Sequence, residues 1–136
     1  DKVRLQASLE NQGGILIRHG HLNEAMALLK EVERLCRELG HKSGLSTCLG
    51  NQAVILQACG RLDEAMALQK EMECLCRELQ DPNGLATALV NQAAIRRRQG
   101  NIPEGRALVQ RALRIARDSG LIALSRQIQR ILDEVY

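Results

Sequence analysis

Three asparagines, Asn11, Asn51 and Asn91, recur at intervals of forty residues. A primary amide donates through its nitrogen and accepts through its oxygen, so a column of them can hold the N–H and C=O groups of an extended backbone without reading its side chains. With Leu49 taken to face the core and about 100° of turn per residue, Asn51 falls on the side away from it, with Thr47 and Ala58. The same amides have an internal use as an alternative, each bonding to a neighbouring helix and fixing the repeat spacing. Near the column lie Arg18, Arg97 and Arg98, with Arg98 one period beyond Ala58 and two beyond Arg18. Guanidinium groups form strong charge-assisted bonds, so they suit an acidic side chain or a terminal carboxylate. The other reading of Arg96-Arg97-Arg98, and of the arginines between 106 and 130, is a solvated face that keeps this end soluble.

Other chemistry is poorly served. Gln12, Gln52 and Gln92 stand beside core-facing leucines and are expected to satisfy partners between helices. Cys74 and Cys76 are two residues apart, which on a helix turns their thiols about 200° from one another and bars a shared tetrahedral ion. His19, His21 and His41 fall at helix ends or turns without further ligands, so no metal and no cofactor is expected. There is no phosphate-cradling glycine loop, no paired-histidine metal helix and no serine in a nucleophile elbow, so no enzyme is expected. Glu33 with Arg37 and Glu73 with Arg77 have the spacing of ordinary surface ion pairs.

The elements that must carry these residues follow from a forty-residue repeat. A forty-residue shift superimposes Asn11-Gln12, Asn51-Gln52 and Asn91-Gln92, then Gly20, Gly60 and Gly100, then Leu28, Leu68 and Leu108. A fixed period of this length means a stacked array. Apolar residues spaced by three and four on either side of the recurring glycine give two helices per unit. In the second unit the stripes are Leu45, Leu49, Ala53 and Leu56, then Ala65, Leu68, Met72, Leu75 and Leu79. Gly60 suits the C-terminal cap of the first helix, Asp63 and Asn23 the N-terminal cap of the second, and Pro103 a first helical turn. The segments 40–44 and 80–84 read as the turns between units. Beyond Gly120 the period is lost, and Leu121, Leu124, Ile128, Ile131, Leu132 and Val135 mark one further amphipathic helix that would cover the last unit. The fold class expected is all-α: three helix–turn–helix repeats at 1–40, 41–80 and 81–120 and a capping helix at 121–136, forming a single domain.

The run Leu49-Gly50-Asn51-Gln52-Ala53, followed by Gly60 and Leu62-Asp63-Glu64-Ala65, resembles the tetratricopeptide repeat, and the resemblance extends over all three units. The forty-residue length and the connector from Cys76 to Leu85 are similar to those of kinesin light chains and of spindle-orientation scaffolds that bind G-protein regulators. The sequence departs from the family pattern where Gln12, Gln52 and Gln92 replace leucine, where Gly13 pairs with Ala53, and where Arg96 replaces Leu16 and Leu56. The resemblance implies a right-handed α-solenoid whose first helices line a concave groove. It also implies a protein-interaction scaffold, with asparagines in this position holding the backbone of a peptide ligand. Asn11, Asn51, Asn91, Arg18, Arg97 and Arg98 are then the candidate peptide-binding residues, and a protein or peptide of acidic character the expected partner.

Totals narrow the remaining classes. The net charge is +3, with the excess of base falling in residues 81–136, and Tyr136 is the only aromatic residue. Single-strand nucleic-acid binders need aromatic platforms for the bases, so nucleic acid is not an expected partner. No run approaches the roughly 18 apolar residues of a membrane span, and the N-terminus lacks a secretory signature, so neither membrane nor secretion is expected. Five cysteines, odd in number and partly within patterned helices, point to reduced thiols in the cytoplasm. The competing reading is a structural or self-associating segment of a larger protein, or a designed or truncated array. It is motivated by a first helix with no capping element before it and Leu5, Leu9 and Leu16 on one stripe.

Overall fold

In the computed structural model, residues 21–136 are described, and they form helices joined by short turns. The helices are α1 (Leu22–Leu39), α2 (Lys42–Ala58), α3 (Leu62–Glu78), α4 (Pro82–Arg98), α5 (Ile102–Asp118) and α6 (Ile122–Val135). The fold class is the all-α helical repeat expected from the forty-residue period. The first helix of the first repeat, with Asn11, Gln12, Arg18 and the Leu5, Leu9 and Leu16 stripe, lies outside the described residues, and so does the self-association expected of it.

Each turn closes in the same way. A residue with positive φ follows the helix, and the next backbone N–H donates five residues back: His41 to Cys36, Arg61 to Leu56, Asp81 to Cys76, Asn101 to Arg96 and Leu121 to Ala116, all at 2.9 Å. This arrangement satisfies carbonyls that a helix end otherwise strands. Gly60 takes φ of 79°, as its place in the repeat predicts, while at the equivalent point between α3 and α4 stands Gln80, with φ of 53°.

Helix starts differ from the sequence reading in two respects. Asn23 and Asp63 lie inside the first turns of α1 and α3, one residue beyond the helix starts at Leu22 and Leu62. The side-chain caps are Asp81, which accepts from Gly84 N–H, and Asn101, which accepts from Glu104 N–H. The breakers are also shorter than 40–44 and 80–84, because α2 and α4 begin at Lys42 and Pro82 and take Gly44 and Gly84 into the helix. At Gly84 the reason is space: a Cβ there would stand 2.7 Å from Cys76 Sγ.

The residues cluster into two compact units that divide after Leu68, within α3. In the first unit α1 packs on α2. Ala25, Leu29, Val32, Leu35 and Cys36 of α1 are buried, as are Leu45, Cys48, Leu49, Ala53, Ile55 and Leu56 of α2. In the second unit α4 packs on α5, and α5 on α6. Its core joins Ala86, Leu89 and Ala93 of α4 to Leu108, Val109, Ala112, Leu113 and Ala116 of α5 and Ile128 of α6. Burying a leucine or valine side chain in this way stabilises by roughly 1.5–3 kcal/mol. On α3 the buried line is Ala65, Met66, Gln69, Met72 and Cys76, so Leu79, expected in the stripe, sits at its exposed edge.

Helix α6 is held at its far end by the single aromatic residue. Tyr136 Oη donates to the Ala93 carbonyl at 3.2 Å, and Arg106 donates to the Tyr136 carbonyl at 3.3 Å. Gly105 makes room for this ring: a Cβ there would meet Tyr136 Oη at 2.8 Å. Ala25 and Ala65 occupy the equivalent positions of the other repeats.

Candidate functional site

The first helices of the second and third repeats, α2 and α4, are buried around most of their circumference. A two-sided core requires this, and it leaves one narrow outward line on each. On α2 the line is Ser43, Thr47, Asn51, Val54 and Ala58; on α4 it is Asn83, Thr87, Asn91, Ala94 and Arg98. Steps of four, four, three and four residues keep these side chains on one face.

Thr47 and Thr87 spend their hydroxyls on the carbonyls of Ser43 and Asn83, at 3.3 and 2.9 Å. Asn51 and Asn91 are half-buried, and among the described residues neither side-chain amide has a protein hydrogen-bond partner. The internal use of these amides is therefore not what the structure displays for either. Each keeps two donor hydrogens and an acceptor oxygen at the surface.

One residue further on, the glutamines do the internal work. Gln52 is fully buried and its Nε2 donates to Glu33 Oε1 at 2.9 Å; Gln92 repeats the bond to Glu73 at 2.7 Å. Arg37 and Arg77 close on the same two carboxylates. The pairs expected as plain surface bridges are thus the outer halves of an arginine–glutamate–glutamine link that repeats forty residues apart. Burial pushes the Glu33 carboxyl up, but the hydrogen bonds from Gln52 and Arg37 outweigh it and leave the group below its usual range.

In the second unit α6 forms a second wall beside the outward line of α4. A cavity of about 220 Å³ is lined by Val90, Ala94, Arg97, Ile131, Val135 and Tyr136. A neighbouring one of about 180 Å³ is lined by Thr87, Val90, Leu124, Gln127, Ile128 and Ile131. Arg97 belongs to the lining of the first cavity, and Asn91 to the lining of neither.

The arginine triplet divides. Arg96 is half-buried and joins Glu104 at 3.0 Å and Gln99 at 2.8 Å, tying the end of α4 to the start of α5. Arg97 and Arg98 are exposed, and Arg97 has no ion-pair partner among the described residues. Asn91 thus lies on the outward line of α4 and Asn51 on the equivalent line of α2, Arg97 lines the trough, and Asn11 and Arg18 lie outside the described residues. The sequence reading missed the α6 wall. Its signals were the lone aromatic at 136 and the glycine at 105 where the repeat has alanine.

Nothing in the geometry favours other chemistry. Among the described residues no three His, Cys, Asp or Glu side chains are grouped to hold a metal ion. No helix among them is long and apolar enough to cross a membrane. The five cysteines form no disulfide, and Cys74 is exposed while Cys76 is buried, as opposite sides of a helix require.

Comparison with known proteins agrees with this picture. The sequence profile of the family described as Tetratricopeptide repeat matches residues 45–79. The fold is similar to the TPR domain of Arabidopsis FLU, with a TM-score of 0.79 at 17% identity, over 88% of this chain and 99% of that one. It is similar to the N-terminal domain of stress-induced protein-1 from C. elegans, with a TM-score of 0.72 at 14% identity, over 95% and 98% of the two chains. Aspartyl phosphate phosphatase F from Bacillus subtilis aligns with a TM-score of 0.87 at 12% identity, over 99% of this chain and 37% of that one. At these identities the likeness is one of fold. No curated protein matches the sequence. The profile names the repeat without separating the forty-residue variety from others. Tetratricopeptide folds are generally non-catalytic and mediate protein–protein interactions. The repeat is thus matched in sequence at 45–79, and the fold is similar to that of tetratricopeptide-repeat domains over most of the chain.

Proposed function

We propose that this protein is an interaction scaffold that holds an extended segment of a partner protein along the outward line of its first helices. The observation that carries the reading is the state of Asn91. Among the described residues its amide has no hydrogen-bond partner, and on the same helix Val90, Ala94 and Arg97 line an apolar trough. The amide takes one peptide unit of the ligand backbone, Val90 and Ile131 receive an apolar side chain, and Arg97 with Arg98 selects acidic character. Asn51 does the same on α2, and Asn11 with Arg18 completes the set by the repeat. The three repeats and α6 act as one domain in this role, and the five cysteines suit a reducing, cytoplasmic setting.

The test is a fluorescence-anisotropy screen of extended acidic peptides against the full chain, followed by Asn91→Ala and Arg97→Glu. Each lost backbone bond is worth roughly 0.5–1.5 kcal/mol, so Asn91→Ala weakens a true ligand about two- to tenfold. Arg97→Glu weakens acidic ligands more than neutral ones. Affinity that is unchanged in the triple substitution of Asn11, Asn51 and Asn91 by alanine refutes the asparagine column.

A further inference from the structure

The trough between α4 and α6 is two hollows and not one continuous bed. The hollow of about 220 Å³ and its neighbour of about 180 Å³ share Val90 and Ile131, so these two side chains form a sill between them. Each hollow has room for a single large apolar side chain. A helix, about 10–12 Å across with its side chains, needs a wider and unbroken bed.

The helices that line the hollows set their spacing. On α4 the smaller hollow is lined by Thr87 and Val90, and the larger by Val90, Ala93, Ala94 and Arg97. On α6 the smaller is lined by Leu124, Gln127, Ile128 and Ile131, and the larger by Ile131, Val135 and the following Tyr136. Both helices therefore pass the two hollows in the same direction. The linings are centred about five residues apart on α4 and about six on α6, which is roughly 7–10 Å at the α-helical rise. In an extended chain the side chains of one face recur at every second residue, roughly 7 Å apart, and those four residues apart are roughly 13 Å apart. Two apolar side chains two residues apart match the hollows. Adjacent residues point to opposite faces and cannot both enter.

Charge makes the two ends unlike. Among the described residues Arg97 is the one charged side chain in either lining, and it has no ion-pair partner. The Tyr136 hydroxyl, beside it in the larger hollow, is already spent on the Ala93 carbonyl. At the other end stand Thr87, whose hydroxyl donates to the Asn83 carbonyl at 2.9 Å, and the neutral Gln127.

We infer that the trough selects an extended protein segment with two apolar side chains two residues apart, one in each hollow, and a carboxylate two residues beyond the larger hollow, on Arg97. This inference rests on the scaffold reading above and adds to it the spacing that the ligand must have. The carboxylate is chosen because a free guanidinium at one end of an otherwise uncharged trough is matched by an anion there and by none at the other end. It also sets which apolar side chain enters which hollow.

Labelled peptides with leucine, leucine and glutamate at alternate positions, in both chain orders and flanked by neutral residues, are titrated onto the full chain. One order is expected to bind saturably. Making the two leucines adjacent, or spacing them by four in a helical peptide, weakens binding about tenfold, because one side chain then misses its hollow. Ala94→Phe fills the larger hollow and Thr87→Phe the smaller. With Ala94→Phe, replacing the leucine nearer the glutamate by alanine costs little more, while replacing the other leucine still weakens binding severalfold; Thr87→Phe reverses the pattern. A misfolded variant loses both responses together. Arg97→Glu binds a lysine version of the peptide better than the original protein does. Binding that is indifferent to leucine spacing, or to which hollow is filled, overturns the two-hollow register; if that binding still weakens with Asn91→Ala, the scaffold reading stands without it. Tighter binding of the helical peptide overturns the extended form, and no saturable binding of any of these peptides overturns both readings.

Discussion

Glutamine occupies three buried positions among the described residues, Gln52, Gln69 and Gln92, and they are not equivalent. Gln52 and Gln92 each donate to a glutamate on the preceding helix, although Gln52 Oε1 has no partner of its own. Gln69 is completely buried and neither its oxygen nor its nitrogen has a partner. The repeat places Leu29 and Val109 at the same point, both buried. An unsatisfied buried amide costs roughly 1–3 kcal/mol, so Gln69→Leu is expected to raise the unfolding free energy by about that amount in urea titration. A loss of stability instead would mean that the amide is satisfied in solution. Glu33 makes the opposite case, a carboxylate stabilised in its charged form. Because its folded pKa is depressed, its contribution is fully present at neutral pH and is lost as the pH falls below the usual carboxylate range. Glu33→Gln should therefore cost roughly 1 kcal/mol at pH 7, and the gap to the original protein should close in acid. A gap independent of pH would show that the charge is not what Gln52 and Arg37 hold.

Among the elements, the turns and α6 carry the testable strain and fit. Among the described residues four of the five turns place glycine in the left-handed conformation, and the turn between α3 and α4 places Gln80 there, with φ of 53°. Glycine accepts this conformation without the clash of a Cβ. Gln80→Gly is expected to raise stability by roughly 0.5–1 kcal/mol, read as a higher melting temperature; a decrease would mean that the Gln80 side chain contributes more than its backbone costs. At the other end of the same unit, Gly105 and Tyr136 are fitted to each other. Overpacking a filled site costs roughly 1–3 kcal/mol, so Gly105→Ala is destabilising alone. It should cost much less when combined with Tyr136→Ala, since the added methyl then enters vacated space. Additive effects in this double-mutant cycle would separate the two residues.

For the molecule as a whole, α6 decides how the last repeat ends. It covers Val109, Leu113 and Ala116 through Ile128 and the half-buried Leu121, Leu124, Ile131 and Leu132. Deleting residues 121–136 is expected to lower the melting temperature and to give concentration-dependent association in sedimentation velocity, because the face it covers is apolar. A monomeric, equally stable deletion would mean that α6 is an appendage.

The helical class, the glycine turns and the outward position of Asn51 were legible in the sequence, because they depend on local spacing and on a period that needs only the chain to be read. Gln52 and Gln92 were read correctly as internal for the same reason: they adjoin core leucines. What the sequence left open depended on contacts between distant residues. The spacing of Glu33 and Arg37 spells a surface pair, and only packing of α1 on α2 brings Gln52 to the same carboxylate. The stripe of α3 passes through Gln69 and Cys76, because the neighbouring helices select which side is buried. Loss of the period after Gly120 concealed that α6 still occupies a repeat-like place, with Ile131 beside the trough and Tyr136 reaching back to Ala93. Periodicity fixes which way a side chain faces on its own helix, while the partner it meets is set by tertiary packing across tens of residues.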